Sequence, residues 1–312
     1  MHAERRPAAV FLMGPTASGK TALAVDLARR FPLSVVSVDS ALVYRGLDVG
    51  SAKPDAATRA AVPHALVDIR EPEDPYSAAD FRRDALVAMG SARADGRVPL
   101  LVGGTGLYFA ALERGLSALP AADPVLRARL EAEAGAVGWA AMHERLARLD
   151  PAAAARIHRN DPQRIQRALE VIELTGRPLS AQQQGPGKRL PWRVLKLALL
   201  PDRAVLHARI AARFCAMVDA GLLAEVAALR RRPGLRADAP SMRAVGYRQA
   251  WEHLDGATTR DDFIQRGIHA TRQLAKRQVT WLRGEHDAFT LAADGGDAAH
   301  RIAGFLDPIT TP

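Results

Sequence analysis

The sequence predicts an α/β fold in which a parallel β-sheet is flanked by helices. An apolar run at 8–13 leads into a glycine-rich loop at 14–21, a helix is predicted over 22–30, and a second apolar run follows at 33–38. The order strand, loop, helix, strand is typical of parallel sheets. Because the loop has the G-x-x-x-x-G-K-[ST] pattern in this setting, we predict a sheet of the P-loop NTPase-like type.

The composition changes near residue 119. From there to residue 190 the chain is rich in Ala, Arg and Glu with helical spacing, and helices are predicted over 125–134, 139–149 and 162–175. Strand character returns near residue 192. We therefore predict an α-helical insertion at 119–190 within an α/β core formed by 1–118 and 191–312.

The glycine-rich loop has the chemistry of a phosphate site. Gly14 and Gly19 allow the backbone to turn tightly and to present its N–H groups to an anion. The helix that follows adds the positive end of its dipole. Lys20 supplies a mobile cation, and the Thr21 hydroxyl suits Mg²⁺. The residues predicted to bind a phosphate-bearing ligand are Gly14, Pro15, Thr16, Ala17, Ser18, Gly19, Lys20 and Thr21.

Polar residues follow two further predicted strands. The strand 33–38 ends in Asp39-Ser40, and the strand 98–102 ends in a glycine-rich segment that contains Thr105. Ligands of parallel sheets bind at the carboxyl ends of strands. Asp39 can serve there as a metal ligand or as a proton acceptor, or it can simply cap the next turn. The following segment to residue 54 has no periodicity, which favours a binding loop.

Other elements complete the predicted core. We expect a short strand over 64–69, a helix from 76 to 93, and a long helix opened by Pro201-Asp202. The strand at 98–102 ends in glycine, where many P-loop ATPases carry an aspartate, so simple ATP hydrolysis is a weaker interpretation.

The C-terminal part carries clustered cations. A helix is predicted over 262–283 with five basic residues and no acid after Asp262, namely Arg266, Arg272, Lys276, Arg277 and Arg283. Such a helix suits a nucleic-acid backbone better than a plain solvated face. The whole chain has a formal net charge of +9, which agrees with a polyanionic partner or with an arginine-rich genome.

Two classes of site are disfavoured by composition. Cys215 is the only cysteine, so neither a disulfide framework nor a thiolate zinc site is expected.

No apolar run approaches the roughly 18–20 residues of a membrane span. We expect a cytoplasmic protein without membrane association.

In the predicted insertion, one helix offers a polar face. Asp161 can cap it, Pro162 fits its first turn, and Gly176 fits its end. Amides and guanidinium groups at Gln163, Gln166 and Arg167 could read base edges and phosphates, or could form an ordinary polar surface.

At this point the sequence resembles the tRNA dimethylallyltransferases (tRNA isopentenyltransferases, the IPP transferase family). The similarity covers roughly residues 8–285 in six segments: Gly14–Thr21, Asp39–Pro54, Gly103–Tyr108, Asp161–Glu170, Arg243–Arg248 and Thr271–Gln278. The resemblance implies transfer of a dimethylallyl group from dimethylallyl diphosphate to N6 of the adenosine at tRNA position 37, beside the anticodon. Diphosphate would be released.

The resemblance also implies roles for individual residues. The catalytic residues would be Lys20, Asp39, Thr105 and Arg248. Asp39 would assist the N6 amine, and Thr21 would bind Mg²⁺. Residues implied to contact tRNA are Asp39, Ser40, Ala41, Leu42, Thr105, Arg127, Gln163, Arg164, Ile165, Gln166, Arg167, Arg243, Ala244, Val245, Gly246, Tyr247 and Arg248. Leu42 stands where the family often has Gln, so an amide contact to RNA would be replaced or lost. The expected partners are the tRNA anticodon stem-loop and dimethylallyl diphosphate, bound by a monomer.

Two other functions remain open from the residues. A P-loop kinase acting on a small molecule or nucleotide shares the fold, Lys20 and Thr21, but gives no reason for the cationic helix. A non-catalytic RNA-binding protein with a relic P-loop is the other, and an intact Lys20-Thr21 together with Asp39 argues against it.

Overall fold

The computed structural model describes residues 6–183, 187–291 and 296–310. In these ranges six strands form one sheet. The strands are β1 (Ala8–Met13), β2 (Leu33–Val38), β3 (His64–Ala65), β4 (Val98–Gly103), β5 (Arg193–Leu199) and β6 (Phe289–Leu291). Their order is β3-β2-β4-β1-β5-β6, and every neighbouring pair is parallel. The predicted α/β fold with a parallel sheet is therefore confirmed.

Helices connect the strands and extend the chain beyond them. They are α1 (Lys20–Arg30), α2 (Ala56–Ala61), α3 (Ala78–Ala94), α4 (Gly106–Arg114), α5 (Pro124–Leu149), α6 (Pro151–Arg156), α7 (Pro162–Thr175), α8 (Leu179–Gln182), α9 (Arg203–Asp219), α10 (Leu222–Leu229), α11 (Tyr247–Leu254), α12 (Arg260–Arg283) and α13 (Ala298–Thr310). None of the helices in the described ranges has the length and apolar character that a membrane span needs.

The central strand β1 is buried on both faces. Val10 and Leu12 pack into a core with Leu27 of α1, whereas Phe11 points to the other face and contacts Phe109, with ring centroids 5.1 Å apart. Successive side chains of a strand alternate between faces, so a strand covered on both sides is apolar throughout. This explains the continuous apolar run in the sequence.

The third strand is shorter than the predicted 64–69. Pairing stops after Ala65 because Leu66 and Asp68 adopt left-handed backbone conformations with φ of 64° and 56°. The Asp68 carboxylate binds Lys53 at 2.5 Å and Arg59 at 2.6 Å, and these ion pairs hold the chain in its turn. The tertiary partners of Asp68 therefore override the strand propensity of this segment.

Side-chain caps set the ends of several helices. Ser77 and Asp80 form a reciprocal capping box at the start of α3, and Asp161 accepts a hydrogen bond from the Arg164 N–H at the start of α7. Thr259 caps α12, which begins two residues before the predicted Asp262. The end of α7 falls at Gly176, whose φ is 67°.

The chain divides into two compact units, residues 1–112 with 191–312, and residues 113–190. The second unit begins at Glu113 and thus six residues before the predicted boundary at 119. Its two ends are joined, since the Leu190 N–H donates to the Glu113 carbonyl at 2.9 Å. The backbones of Gly115 and Gly187 also lie in close contact, leaving no room for a side chain at either position.

The second unit has its own core. Leu130 and Leu146 of α5 pack with Ile165 and Leu169 of α7. Within α5 the backbone is not helical at Gly138, where φ is 83° and ψ is 152°, so the two helices predicted on either side of this residue are distinct segments.

Candidate active site

Three loops meet at the carboxyl edge of the sheet in the first unit. They follow β1, β2 and β4, which are adjacent in the sheet, and they border a cavity of about 270 Å³. Helices α9 and α12 and the segment 243–247 supply further walls. The polar residues that line it include Thr16, Lys20, Asp39, Ser40, Thr105, Arg213, Arg243, Arg277 and Gln278, and the apolar ones include Ile210, Phe214, Met217, Ala244, Val245 and Leu274.

A steric constraint explains why β4 ends in glycine. A Cβ atom on Gly103 would overlap the backbone carbonyl of Val38 in the neighbouring strand. The absence of an aspartate at this strand end therefore follows from the close approach of β2 and β4. It leaves Asp39, after β2, as the carboxylate that lines the cavity.

Lys20 lies at the first position of α1, after Gly19 with a φ of 97°. Its Nζ donates to the Pro15 carbonyl at 3.2 Å, which holds the side chain across the loop. Burial lowers the pKa of Lys20 to about 8, the Asp39 carboxylate opposes this shift, and the Arg213 guanidinium adds to it. An anion that binds beside Lys20 would favour its protonated form.

Asp39 is held by the turn that it begins. Its Oδ1 accepts hydrogen bonds from the backbone N–H groups of Ala41 at 2.8 Å and Leu42 at 3.4 Å. No group in the described residues hydrogen-bonds the second oxygen, Oδ2. Oδ1 therefore caps a turn, which is the structural role among those predicted, whereas the roles of metal ligand and proton acceptor stay predictions.

Arg213 is a site residue to which the sequence analysis gave no function. It lies on α9, and its guanidinium donates a hydrogen bond to the Thr16 hydroxyl in the P-loop. Burial lowers the pKa of Arg213, and the Asp39 carboxylate counteracts this. One turn earlier, Arg209 donates to the Ser18 carbonyl at 3.3 Å. The spacing of four residues places both on one helix face, and this was the only signal in the sequence.

Gln278 of α12 ends one of the segments that resemble the family, but the sequence analysis gave it no role of its own. Its Oε1 accepts a hydrogen bond from the Thr16 N–H at 2.9 Å, and its Nε2 donates to the Gly104 carbonyl at 3.0 Å. It therefore joins the P-loop to the loop that carries Thr105. Since the three segments are far apart in sequence, only the fold reveals this contact.

The segment Arg243–Arg248 contributes unequally to the cavity. Arg243, Ala244, Val245 and Tyr247 line it. Arg248 does not line it, because its side chain is 58% exposed and points toward Glu252, 3.8 Å away. The structure thus brings Lys20, Asp39 and Thr105 together but places Arg248, the fourth predicted catalytic residue, outside the cavity.

The remaining loop residues differ in exposure. Gly14, Pro15 and Ser18 are buried, and the Ser18 hydroxyl has no hydrogen-bond partner among the described residues. Thr21, the predicted metal ligand, is exposed and is not part of the cavity lining. In the described part of the chain, no group of three or more His, Cys, Asp or Glu could hold a metal ion.

In the second unit the predicted RNA-binding residues fall into two sets. Gln163 and Arg164 are exposed at the start of α7. Ile165 is fully buried in the core of this unit, so its side chain contacts protein and not a ligand, which corrects the implied role of that side chain. The apolar spacing of α7 already placed Ile165 on its buried stripe.

The other three predicted residues are engaged with protein groups, and two of them bind one buried carboxylate. Arg127 binds Glu170 at 2.9 Å and Arg167 binds it at 2.5 Å, while the Gln166 amide donates to the Arg127 carbonyl at 3.0 Å. Burial would raise the pKa of Glu170, but hydrogen bonds from Arg127 and Arg167 outweigh it and the pKa lies below its ordinary value. This face is therefore partly structural.

The cations of α12 are mostly exposed. Arg266, Lys276, Arg277 and Arg283 are accessible to solvent, and none forms an ion pair with a carboxylate in the described residues. The exception is Arg272, whose Nε is buried without a hydrogen-bond partner there. Exposed cations that form no ion pair with a carboxylate suit contact with a polyanion.

Comparison with known proteins identifies a family. The IPP transferase family profile matches residues 42–285. A tRNA dimethylallyltransferase of Xanthomonas campestris pv. campestris (strain 8004) is 58% identical, over 98% of this chain and 96% of the relative. Another, from Alkalilimnicola ehrlichii, is 61% identical over 91% of each.

Solved structures agree. The full-length tRNA isopentenylpyrophosphate transferase of Bacillus halodurans is 36% identical, with a TM-score of 0.71 over 97% of this chain and 98% of that one. A eukaryotic dimethylallyltransferase solved acting on tRNA shares the fold at 24% identity, with a TM-score of 0.79 over 98% and 80% of the two chains. The matched profile and these identities, over nearly the whole chain, show that the protein belongs to the IPP transferase family.

Proposed function

We propose that this chain is an enzyme that transfers a dimethylallyl group from dimethylallyl diphosphate to N6 of an adenosine beside the tRNA anticodon, and releases diphosphate. The observation that carries the proposal is the convergence of Lys20, Arg213 and Asp39 on one cavity at the P-loop. It is supported by relatives of 58–61% identity that bear the name tRNA dimethylallyltransferase.

The cationic part of the cavity would bind the diphosphate. As the bond between the allylic carbon and the diphosphate oxygen breaks, negative charge develops on that oxygen. It is neutralised by Lys20, Arg213 and the backbone N–H groups of the loop. Preorganised charges of this kind commonly contribute more to catalysis than any other single effect. Arg213 suits the role because a guanidinium can bind phosphate oxygens in a forked manner.

Asp39 would assist the nucleophile. The adenine N6 amine forms the new bond to the allylic carbon and loses one proton, for which Oδ2 of Asp39 is the acceptor. The turn N–H groups on Oδ1 fix the orientation of the carboxylate. General-base assistance of this kind contributes about 10²–10⁴-fold. Thr105 lines the same cavity and would help to place the amine. A base inside a stem-loop must leave its stack to reach this position.

The apolar part of the cavity suits the hydrocarbon tail. Phe214, Met217 and Leu274 lie along it, and such side chains exclude water from a short branched alkenyl group. A diphosphate with an apolar tail fits a cavity whose lining combines cations and apolar side chains. A nucleoside triphosphate would leave the apolar part without a matching group.

The loop offers Mg²⁺ a single side-chain ligand. This ion usually binds one or two protein oxygens together with phosphate oxygens and water, rather than a full protein cage. The exposed Thr21 hydroxyl offers one such oxygen, in keeping with the lack of a multi-carboxylate cluster among the described residues. Thr21 would hold the ion with the substrate diphosphate, and the ion would supply further charge neutralisation.

The anticodon stem-loop would be bound through exposed polar groups. The free cations of α12 suit the phosphate backbone, and exposed Gln163 and Arg164 on the second unit suit bases and phosphates. We propose that the enzyme acts as a cytoplasmic monomer, where unmodified tRNA is available.

The test is transfer of label from dimethylallyl diphosphate to unmodified tRNA, followed by nucleoside analysis. Label on N6 of the adenosine beside the anticodon is the expected result. Hydrolysis of ATP with no label on RNA would instead support the kinase alternative, which the names of the relatives do not favour.

A further inference from the structure

The carboxylate of Glu225 joins three segments that are distant in sequence. Glu225 lies on α10 and accepts hydrogen bonds from the backbone N–H groups of Asp48 at 3.0 Å, Val49 at 2.7 Å and Gly50 at 3.1 Å. A fourth hydrogen bond comes from the hydroxyl of Tyr247 on α11, at 2.6 Å. One carboxylate therefore accepts hydrogen bonds from three successive backbone N–H groups and from a buried phenol hydroxyl.

The groups held by Glu225 form a wall of the cavity. Gly50 and Tyr247 both line it, whereas Glu225 does not. A Cβ atom at Gly50 would lie 2.7 Å from the Tyr247 ring and 2.7 Å from the Leu222 side chain, so backbone and ring are in direct contact. Ala244 and Val245 continue the wall, which is mostly apolar.

A second anchor, Lys53, holds the same turn. Lys53 donates to the Asp48 carboxylate at 2.6 Å and to the Tyr44 carbonyl at 2.8 Å, and its side chain is 2% exposed. Because this anchor is independent of Glu225, loss of the Glu225 contacts should loosen the wall without unfolding the loop.

We propose that Glu225 is a positioning residue that fixes the 48–50 turn and the Tyr247 ring as the wall sheltering the dimethylallyl group. The proposal rests on the proposed function. Glu225 acts through Gly50 and Tyr247 and does not itself touch the reacting atoms. Burial and the neighbouring Glu225 raise the pKa of Tyr247, which keeps its hydroxyl protonated and able to donate.

The test is Glu225→Gln, which keeps the shape of the side chain but replaces one accepting oxygen with an NH₂ group. That group faces N–H or O–H donors, so at least one hydrogen bond is lost. Two affinities are compared, for dimethylallyl diphosphate and for inorganic pyrophosphate, which probes the cationic part alone. We expect the Kd and KM for dimethylallyl diphosphate to rise about tenfold and kcat to fall about tenfold, with pyrophosphate affinity unchanged.

Two further variants sharpen the comparison. Tyr247→Phe removes only the hydroxyl, and about a threefold effect in the same direction is expected. Asp219→Asn removes an exposed carboxylate near α10 that is 75% accessible and should change neither affinity. If Glu225→Gln does not fold, Tyr247→Phe carries the same comparison between the two ligands.

Two outcomes would overturn the inference. Equal weakening of both ligands would mean a general distortion of the site, and unchanged KM and kcat would mean that the wall needs no support from Glu225. Failure of the proposed function is a different result, since the wild-type protein itself would then transfer no label to tRNA.

Discussion

The side-chain oxygen of Gln278 accepts a hydrogen bond from the backbone nitrogen of Thr16 at 2.9 Å, and the same amide donates to the Gly104 carbonyl at 3.0 Å. A residue near the end of the chain thus fixes the phosphate loop near its beginning. Both functions of the amide, acceptor and donor, are in use. This makes the position sensitive to a change of a single atom.

Gln278→Glu should impair the enzyme although its shape is conserved. A carboxylate cannot donate to the Gly104 carbonyl, and it places a negative charge where the diphosphate would bind. A partly buried polar group left unpaired costs about 1–3 kcal/mol. We therefore expect kcat/KM to fall roughly 10- to 100-fold in the transfer assay. Gln183→Glu, an exposed change outside α12 and the cavity that keeps the oxygen bonded to Arg156, serves as the control and should be near wild type.

Asp39→Asn tests the proton acceptor without removing the turn. The remaining oxygen of the amide can still accept from the Ala41 N–H, while the basicity of the second oxygen is lost. The expected result is a decrease in kcat of about 10²–10⁴-fold with tRNA affinity largely retained. Single-turnover transfer and filter binding measure the two quantities. A rate close to wild type would remove Asp39 from the role of base.

The pKa of Lys20 predicts a pH dependence of substrate binding. Because burial lowers this pKa from 10.5 to about 8, the free enzyme loses the cation as pH rises through about 8. The protonated form binds the diphosphate, so affinity should be full below this value and should decline above it. Calorimetric titration with dimethylallyl diphosphate from pH 6.5 to 9.5 tests this. Above the pKa of Lys20 the association constant should fall roughly tenfold per pH unit.

Lys20→Met provides the matched control for that titration. It should bind more weakly at neutral pH, and the decline above pH 8 should disappear apart from any titration of the ligand itself. An identical pH profile in the two proteins would assign the dependence to another group.

Arg277→Ala tests the electrostatic surface on α12. Each lysine or arginine that contacts a phosphate contributes about 0.7–0.9 to the slope of log K against log salt. Loss of Arg277 should weaken tRNA binding and reduce this slope by about one such contribution. Arg30→Ala, an exposed arginine on α1 that is paired with Asp26, is the comparison. An unchanged slope for Arg277→Ala would argue against a phosphate contact.

Local patterns predict the phosphate loop, the individual strands and most helix ends because each depends on nearby residues, and the order strand, loop, helix, strand predicts that the strands are parallel. The positions of Arg213, Gln278 and Glu225 depend on contacts between distant segments, which no local pattern reveals. The polar face of α7 shows the converse problem. Gln166 and Arg167 resemble RNA-binding groups in sequence, yet their side chains are engaged with Arg127, Glu170 and nearby backbone.

The backbone hydrogen bond between Leu190 and Glu113 means that the first and last residues of the segment 113–190 lie next to each other. A segment with adjoining ends can be excised and replaced by a short turn, because closing so small a gap costs little chain entropy. Such a shortened protein would retain the cavity residues of the first unit. The same geometry would let relatives exchange or enlarge this segment during evolution while keeping the chemistry of the sheet edge intact.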